Sequence, residues 1–392
     1  MVDPATGATL AVASLASLFM AWSIGAGSSG STPFAPAVGA NAISIMRAGF
    51  VVGVLGFAGA VLQGANVSEA VGNELVRGVS LSPTAATVGL LIAAALVAVG
   101  VFAGYPIATA FTVTGAVVGV GLAMGGDPAW GKYAEIASLW VLTPLVGGGV
   151  AFGTATVLRD HRVPERIAVP ALGAVVAGIV ANLEFSVLGP GDGAGTIAGS
   201  IGDSTPQVAL VSTAIGLIAA VVLARELRRD ENRGERRFLL VLGGLVAFSA
   251  GGSQVGLAIG PLLPLFSGTT GGVVVPLSAL LVGGGFGLLL GSWTGAPRMI
   301  KALSQDYSSL GPRRSIAALI PAFAIAQTAV LLGVPVSFNE IIVSTIIGSG
   351  SAAESGGVDP RKMGFTVLAW IGSLLLAMGI GYAGFTAVTA AV

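Results

Sequence analysis

The chain has 392 residues, 54% of them hydrophobic and 9% charged, with 61 glycines, no cysteine and a formal net charge of zero. A mean hydropathy of +0.92 makes lipid, not water, the solvent for most of the chain. The neutral balance offers no footprint for nucleic acid, the lack of cysteine removes disulfides and thiol chemistry, and no metal-ligand cluster or His–Ser–Asp set points to an enzyme.

Apolar segments follow one another near residues 8–24, 48–63, 84–103, 105–124, 137–157, 168–187, 207–225, 238–250, 273–293, 315–333, 335–352 and 364–388. About 20 helical residues cross a bilayer, so the sequence predicts an all-α, multi-pass membrane protein of about twelve transmembrane helices. Crossing at each segment from an external N-terminus puts sixteen of the eighteen basic residues on one side, leaving only Arg77 and Lys132 opposite. The positive-inside bias makes that side the cytoplasm and puts both termini outside, in a cell membrane. His161 falls in the basic 159–166 stretch, away from any apolar segment, and is a poor proton relay. The 298–314 stretch, with Lys301 and Asp306, and the Arg225–Arg237 run both read as solvated cytoplasmic loops.

The chain repeats itself. Gly104-Tyr105-Pro106-Ile107-Ala108, then Gly119 and Gly121, match Gly333-Val334-Pro335-Val336-Ser337, then Gly348 and Gly350, at an offset of 229 residues. Gly25-Ala26-Gly27-Ser28-Ser29 and Gly251-Gly252-Ser253-Gln254-Val255 match at an offset of 226. On the crossing count the first copy starts outside and the second inside, which is the inverted-repeat pattern of secondary transporters. The organisation expected is residues 1–165 as the first repeat, 166–237 as two linking helices with a basic cytoplasmic loop, and 238–392 as the second repeat. Broken or re-entrant helices are expected at Gly25 to Gly39, Gly104 to Gly121, Gly251 to Pro264 and Gly333 to Gly350.

A broken helix presents free N–H groups and the positive end of its dipole, so two breaks meeting at the midplane bind an oxyanion without Lys or Arg. The hydroxyl and amide residues around the breaks are the candidate ligands: Ser28, Ser29, Ser31 and Thr32 at the first, Thr109 and Thr112 at the second, Ser253 and Gln254 at the third, Ser337 and Asn339 at the fourth. Ser and Thr in membrane helices also bond carbonyls one turn back, so the weight lies on their clustering at repeat-related positions. Glu340, inside an apolar segment, is the sharpest ionisable residue, because such groups are usually functional; Glu69 is a weaker case. Either would serve a coupling ion, a proton or sodium, and no other cofactor is implied. The partners read from the sequence are the bilayer, a phosphate-like oxyanion and, allowed without being required, a second copy of the chain as a homodimer.

These residues resemble the inorganic-phosphate transporter family of secondary carriers, over almost the whole chain. Met20-Ala21-Trp22-Ser23-Ile24-Gly25-Ala26 is similar to the approach to that family's first G-A-N-D-V-A-N signature, and Gly251-Gly252-Ser253-Gln254-Val255-Gly256-Leu257-Ala258-Ile259-Gly260-Pro261 to its second. Pro106–Phe111 and Pro335–Glu340 loosely match its P-V-S-T-T-H motif, Gly64–Glu69 its G-A-x-V-x-E-T, and Arg298–Lys301 with Asp306 its cytoplasmic loop. The resemblance implies cation-coupled phosphate transport. The chain departs where the family's Asn and Asp supply sodium ligands: those places hold Gly27 and Ser28, then Ser253 and Gln254, and the motif histidines are replaced by Phe111 and Glu340. A permease for sulfate or another oxyanion, and an uncoupled anion channel, remain as alternatives.

Overall fold

In a computed structural model of the chain, the structure describes residues 4–160, 162–188, 194–267, 273–306, 310–352 and 360–391; His161 lies outside them. The helices, in order, are α1 (Pro4–Gly27), α2 (Ala35–Gly39), α3 (Ile45–Gln63), α4 (Ala65–Asn73), α5 (Pro83–Ala103), α6 (Thr109–Ala123), α7 (Trp130–Arg159), α8 (Glu165–Ala181), α9 (Thr205–Arg229), α10 (Glu231–Ile259), α11 (Leu263–Phe266), α12 (Leu277–Thr294), α13 (Ala296–Asp306), α14 (Pro312–Leu331), α15 (Phe338–Ser351) and α16 (Pro360–Ala391). Two short antiparallel pairings tie loops together, Val76–Arg77 with Asp127–Pro128 and Glu184–Phe185 with Gly195–Thr196.

Every one of the twelve apolar segments coincides with a helix. Among the described residues nine helices are long and apolar enough to cross a membrane; α6, α8 and α15, at 15, 17 and 14 residues, are shorter than a full crossing. The core is built largely from Ala, Gly, Val and Leu, as expected where helices in lipid gain from close backbone approach.

Three expectations need correction. The break expected over Gly251 to Pro264 is reduced to the end of that range: α10 runs unbroken through Gly251 to Ile259, and only then tightens into a 3-10 turn at Gly260–Leu262 before α11. Gly251 serves packing instead, since a Cβ there would overlap the Gly56 carbonyl of α3. The Arg225–Arg237 run is not a loop; α9 and α10 are separated by Asp230 alone, whose carboxylate accepts from the Arg233 N–H at 3.1 Å and caps α10. Residues 296–306 form α13, which buries Met299, Ile300 and Leu303 while Lys301 faces outward.

The other three breaks are present. Gly104 and Gly333 take φ of +70° and +61°, a left-handed conformation that glycine adopts freely. Each turns the chain out of one helix into four residues without helical structure, before α6 and α15 begin. After Gly27 the chain turns through residues 28–34 before α2.

The two halves exchange partners. α1 packs on α12 and α5, and correspondingly α10 packs on α3 and α14; α6 lies along α16, and α15 along α7. Glycines set these distances in matching places. A Cβ at Gly25 would overlap Leu288 O and one at Gly291 would overlap Trp22 O, locking α1 to α12, while Gly251 against Gly56 O and Gly59 against Phe248 O do the same for α10 and α3. Gly251→Val is therefore expected to lower stability by at least about 1–3 kcal/mol, the usual range for overpacking. Gly283→Ala, where a Cβ meets nothing within 4 Å, should leave the melting temperature of the detergent-solubilised protein nearly unchanged.

Candidate functional site

The segments after Gly104 and Gly333 leave carbonyls that no helix can satisfy, and inside a bilayer such groups must find partners. Matching donors supply them. Trp370 Nε1 of α16 donates to Pro106 O at 2.8 Å, and Trp140 Nε1 of α7 donates to Pro335 O at 2.9 Å. One residue further on, Ile107 O accepts from Asn339 Nδ2 at 2.6 Å and Val336 O accepts from Gln254 Nε2 at 2.5 Å. Asn339 Nδ2 also donates to Gly27 O, the last residue of α1, at 2.9 Å. The first break is thereby tied to the other two.

Around these ties the polar side chains gather. Gln254 Oε1 accepts from Ser28 Oγ at 3.1 Å and from Thr109 Oγ1 at 2.9 Å, and the two hydroxyls lie 3.3 Å apart. Ser28, Thr109, Ser253, Gln254 and Ser337 are 0% exposed, and Asn339 and Glu340 are 1% exposed. Of the residues expected at the site, the structure thus links Ser28, Thr109, Gln254 and Asn339 by side-chain hydrogen bonds, with Ser253 beside Gln254 and Ser337 and Glu340 flanking Asn339 in the chain. Ser31 and Thr32 bond back to Ser28 O, Thr112 to Ala108 O, and Ser29 is buried nearby. Glu69 is exposed on α4 and lines a separate surface cavity with Asn73 and Phe266.

Two features give the cluster its chemistry. First, α6 and α15 begin here with no side-chain cap, and their first helical bonds are Thr112 N–H to Ala108 O and Ile341 N–H to Ser337 O. The amides of residues 109–111 and 338–340 therefore have no acceptor within their own helices. Second, Ser253 Oγ, Ser337 Oγ, Asn339 Oδ1 and Glu340 Oε2 are buried without hydrogen-bond partners. Three of these orphan atoms belong to Ser337, Asn339 and Glu340 at the N-terminus of α15, and the fourth to the residue before Gln254; buried polar atoms without partners call for an explanation, and a helix N-terminus is where a small polar ligand supplies one.

Sequence reasoning missed Trp140 and Trp370. Their signal was available, because they stand 230 residues apart while the Pro106 and Pro335 carbonyls they hold stand 229 apart. Phe111, which the sequence marks as the replacement of a motif histidine, stacks its ring on Trp140 with centroids 3.7 Å apart. Phe111 occupies the repeat position equivalent to Glu340, so the two halves differ sharply there.

A multi-pass helical membrane protein with buried polar side chains gathered at helix breaks has the build of a membrane carrier. The sequence profile of the phosphate transporter family matches residues 24–381, so this chain belongs to that family. It is 26% identical to the chloroplastic inorganic phosphate transporter 2-1 of Arabidopsis thaliana, over 90% of this chain and 68% of that protein. It is 27% identical to a protein named as a phosphate permease in Pyrococcus abyssi, over 90% of this chain and 91% of that one. A solved structure of a protein described as the sodium-dependent phosphate transporter shares its fold, with a TM-score of 0.83, 22% identity, and 98% of this chain and 100% of that chain covered.

The tryptophan ties yield a test of the site's scaffold. Trp140→Phe and Trp370→Phe each leave a buried carbonyl unpaired, a loss of about 1–3 kcal/mol, and thermal unfolding should register similar decreases for both because the ties are repeat-related.

Proposed function

We propose that this chain is a secondary carrier of inorganic phosphate that works by alternating access, with the cluster between Ser28, Thr109, Ser253, Gln254, Ser337 and Asn339 as its binding site. The observation that carries this reading is the set of buried, unpartnered atoms at the uncapped start of α15 and on Ser253, next to a Gln254 that hydrogen-bonds Thr109 at the uncapped start of α6. The Ser253 and Ser337 hydroxyls need acceptors, which a tetrahedral oxyanion offers in several directions. The Asn339 oxygen needs a donor. Hydrogen phosphate supplies both, whereas fully ionised sulfate supplies acceptors only, which favours phosphate over the sulfate alternative.

Charge balance assigns a second role. A phosphate anion and a carboxylate cannot share a low-dielectric site without a cation, and Glu340 has one oxygen without a partner. Glu340 is thus the group through which a cation would accompany phosphate. The sodium dependence named for the fold neighbour suggests sodium. A proton suits the residues better, because it needs one carboxyl, whereas sodium needs several converging oxygens. The exchange of helix partners between the halves supports inverted repeats bounded at 1–165 and 238–392 with the 166–237 linker between them, and the basic-residue count supports external termini in a cell membrane. All the breaks come from one chain, so the site requires no homodimer.

Uptake of labelled phosphate into vesicles reconstituted with the purified protein tests the reading. Thr109→Ala and Ser337→Ala should each weaken uptake, since a lost hydrogen bond to a charged ligand costs about 1.5–3 kcal/mol, roughly tenfold to a hundredfold in affinity. Wild-type rates in both variants would sink the site assignment. Glu340→Gln should lose stimulation by an inward proton gradient while keeping phosphate–phosphate exchange.

A further inference from the structure

Unwound backbone carbonyls at helix breaks are where sodium-coupled carriers hold their ion. In this chain those oxygens are already engaged. Ile107 O and Gly27 O share the Asn339 amide nitrogen, at 2.6 Å and 2.9 Å, and Val336 O takes the Gln254 amide nitrogen at 2.5 Å. The preceding carbonyls, Pro106 O and Pro335 O, accept the indole N–H groups of Trp370 and Trp140.

The orientation of the two amides is dictated by their surroundings. Turned over, Asn339 would press its oxygen against two carbonyl oxygens, and Gln254 would set its oxygen against Val336 O, so the NH2 faces must point at the breaks. Each NH2 group places partial positive charge against carbonyls of a break, which is the electrostatic service a bound sodium ion provides. The amide oxygen of Gln254 meanwhile collects the Ser28 and Thr109 hydroxyls, so the break carbonyls and the Gln254 amide need no ion to complete them, and the Asn339 oxygen alone stays open.

We propose that the side-chain amides of Gln254 and Asn339 are tethered substitutes for a coupling cation, occupying the break carbonyls that sodium would otherwise ligate, so that the carrier works without sodium at these positions. The inference deepens the phosphate reading and depends on it only where transport is measured.

The full-length purified protein decides it by two measurements. The first is thermal unfolding in sodium, potassium or choline chloride at equal ionic strength and without phosphate, because an ion that binds the folded state raises its melting temperature. The second is phosphate uptake in sodium against choline. The wild type should show no sodium-specific melting shift, and its uptake in the two salts should agree within about twofold. Gln254→Glu keeps the side-chain shape, replaces the NH2 group with oxygen and frees Val336 O; it should acquire a sodium-specific rise in melting temperature. Asn339→Asp makes the same test at the other two carbonyls should Gln254→Glu fail to fold. A sodium-specific melting shift in the wild type, stimulation above about twofold, or sodium-blind behaviour in a folded Gln254→Glu or Asn339→Asp variant would each overturn the proposal. Absence of phosphate uptake in every salt would instead retire the substrate reading, leaving the phosphate-free melting result to judge the amides.

Discussion

Backbone groups cannot be left unpaired in hydrocarbon, and this requirement organises the centre of the molecule. Gly104 and Gly333 release short stretches from helical bonding, and every helix-free carbonyl from Pro106 to Ile107 and from Pro335 to Val336 is met by a side-chain N–H. The donors are assigned across the sequence: α7 of the first half holds the break of the second, and α16 of the second half holds the break of the first. Neither break is complete within its own half. The polar centre therefore forms only when both halves are in place, which makes its geometry a product of tertiary assembly.

On the proposed assignment of the site, the same breaks would let an anion be recognised without a fixed positive charge. Among the described residues, no Lys or Arg appears in the buried set. What the centre offers instead are helix N-termini, hydroxyls and amides, groups that bind through dipoles and directed hydrogen bonds. Such a site discriminates by where its donors and acceptors point. It would also release a ligand more readily than a cluster of guanidinium groups, and a carrier must let go on the far side.

The legibility of the sequence varied with the kind of information each residue carries. The Gly104 and Gly333 breaks could be read directly, because the same Gly–x–Pro run recurs at an offset of 229 residues and is followed each time by two spaced glycines. Gly251-Gly252 looked equally like a break and turned out to be a packing surface, since a glycine pair opens a helix or admits a neighbouring backbone, and the deciding partner, Gly56 on α3, lies far away in sequence. The candidate hydroxyls were visible as types, yet their division into local helix bonds, as for Thr112, and cross-chain bonds, as for Thr109, depends on side-chain direction. Glu340 was conspicuous through its charge. Trp140 and Trp370 were not, because an apolar ring with one N–H is ordinary in a membrane helix until the carbonyl it serves is known. The helices of the 225–237 and 296–306 stretches were hidden by their charge, which reads as solvation whether or not the backbone is helical.

The glycine contacts between α1 and α12 and between α10 and α3 bear on how such a molecule moves. Where backbone meets backbone without intervening side chains, there are no rotamers to rearrange, and sliding by a fraction of a turn would drive one carbonyl into the next residue's Cβ. These four helices, two from each half, thus behave as crossed and riveted beams. In the proposed alternating access, opening the buried centre to one side of the membrane and then the other would fall to the elements hung on that frame. The shorter helices α6 and α15, each leaving its break over a left-handed glycine, are riveted in turn to the long helices they ride on, Gly115 and Gly119 against the Leu374 and Met378 carbonyls of α16 and Gly348 against the Gly148 carbonyl of α7, so each short helix and its long partner form one unit on that frame.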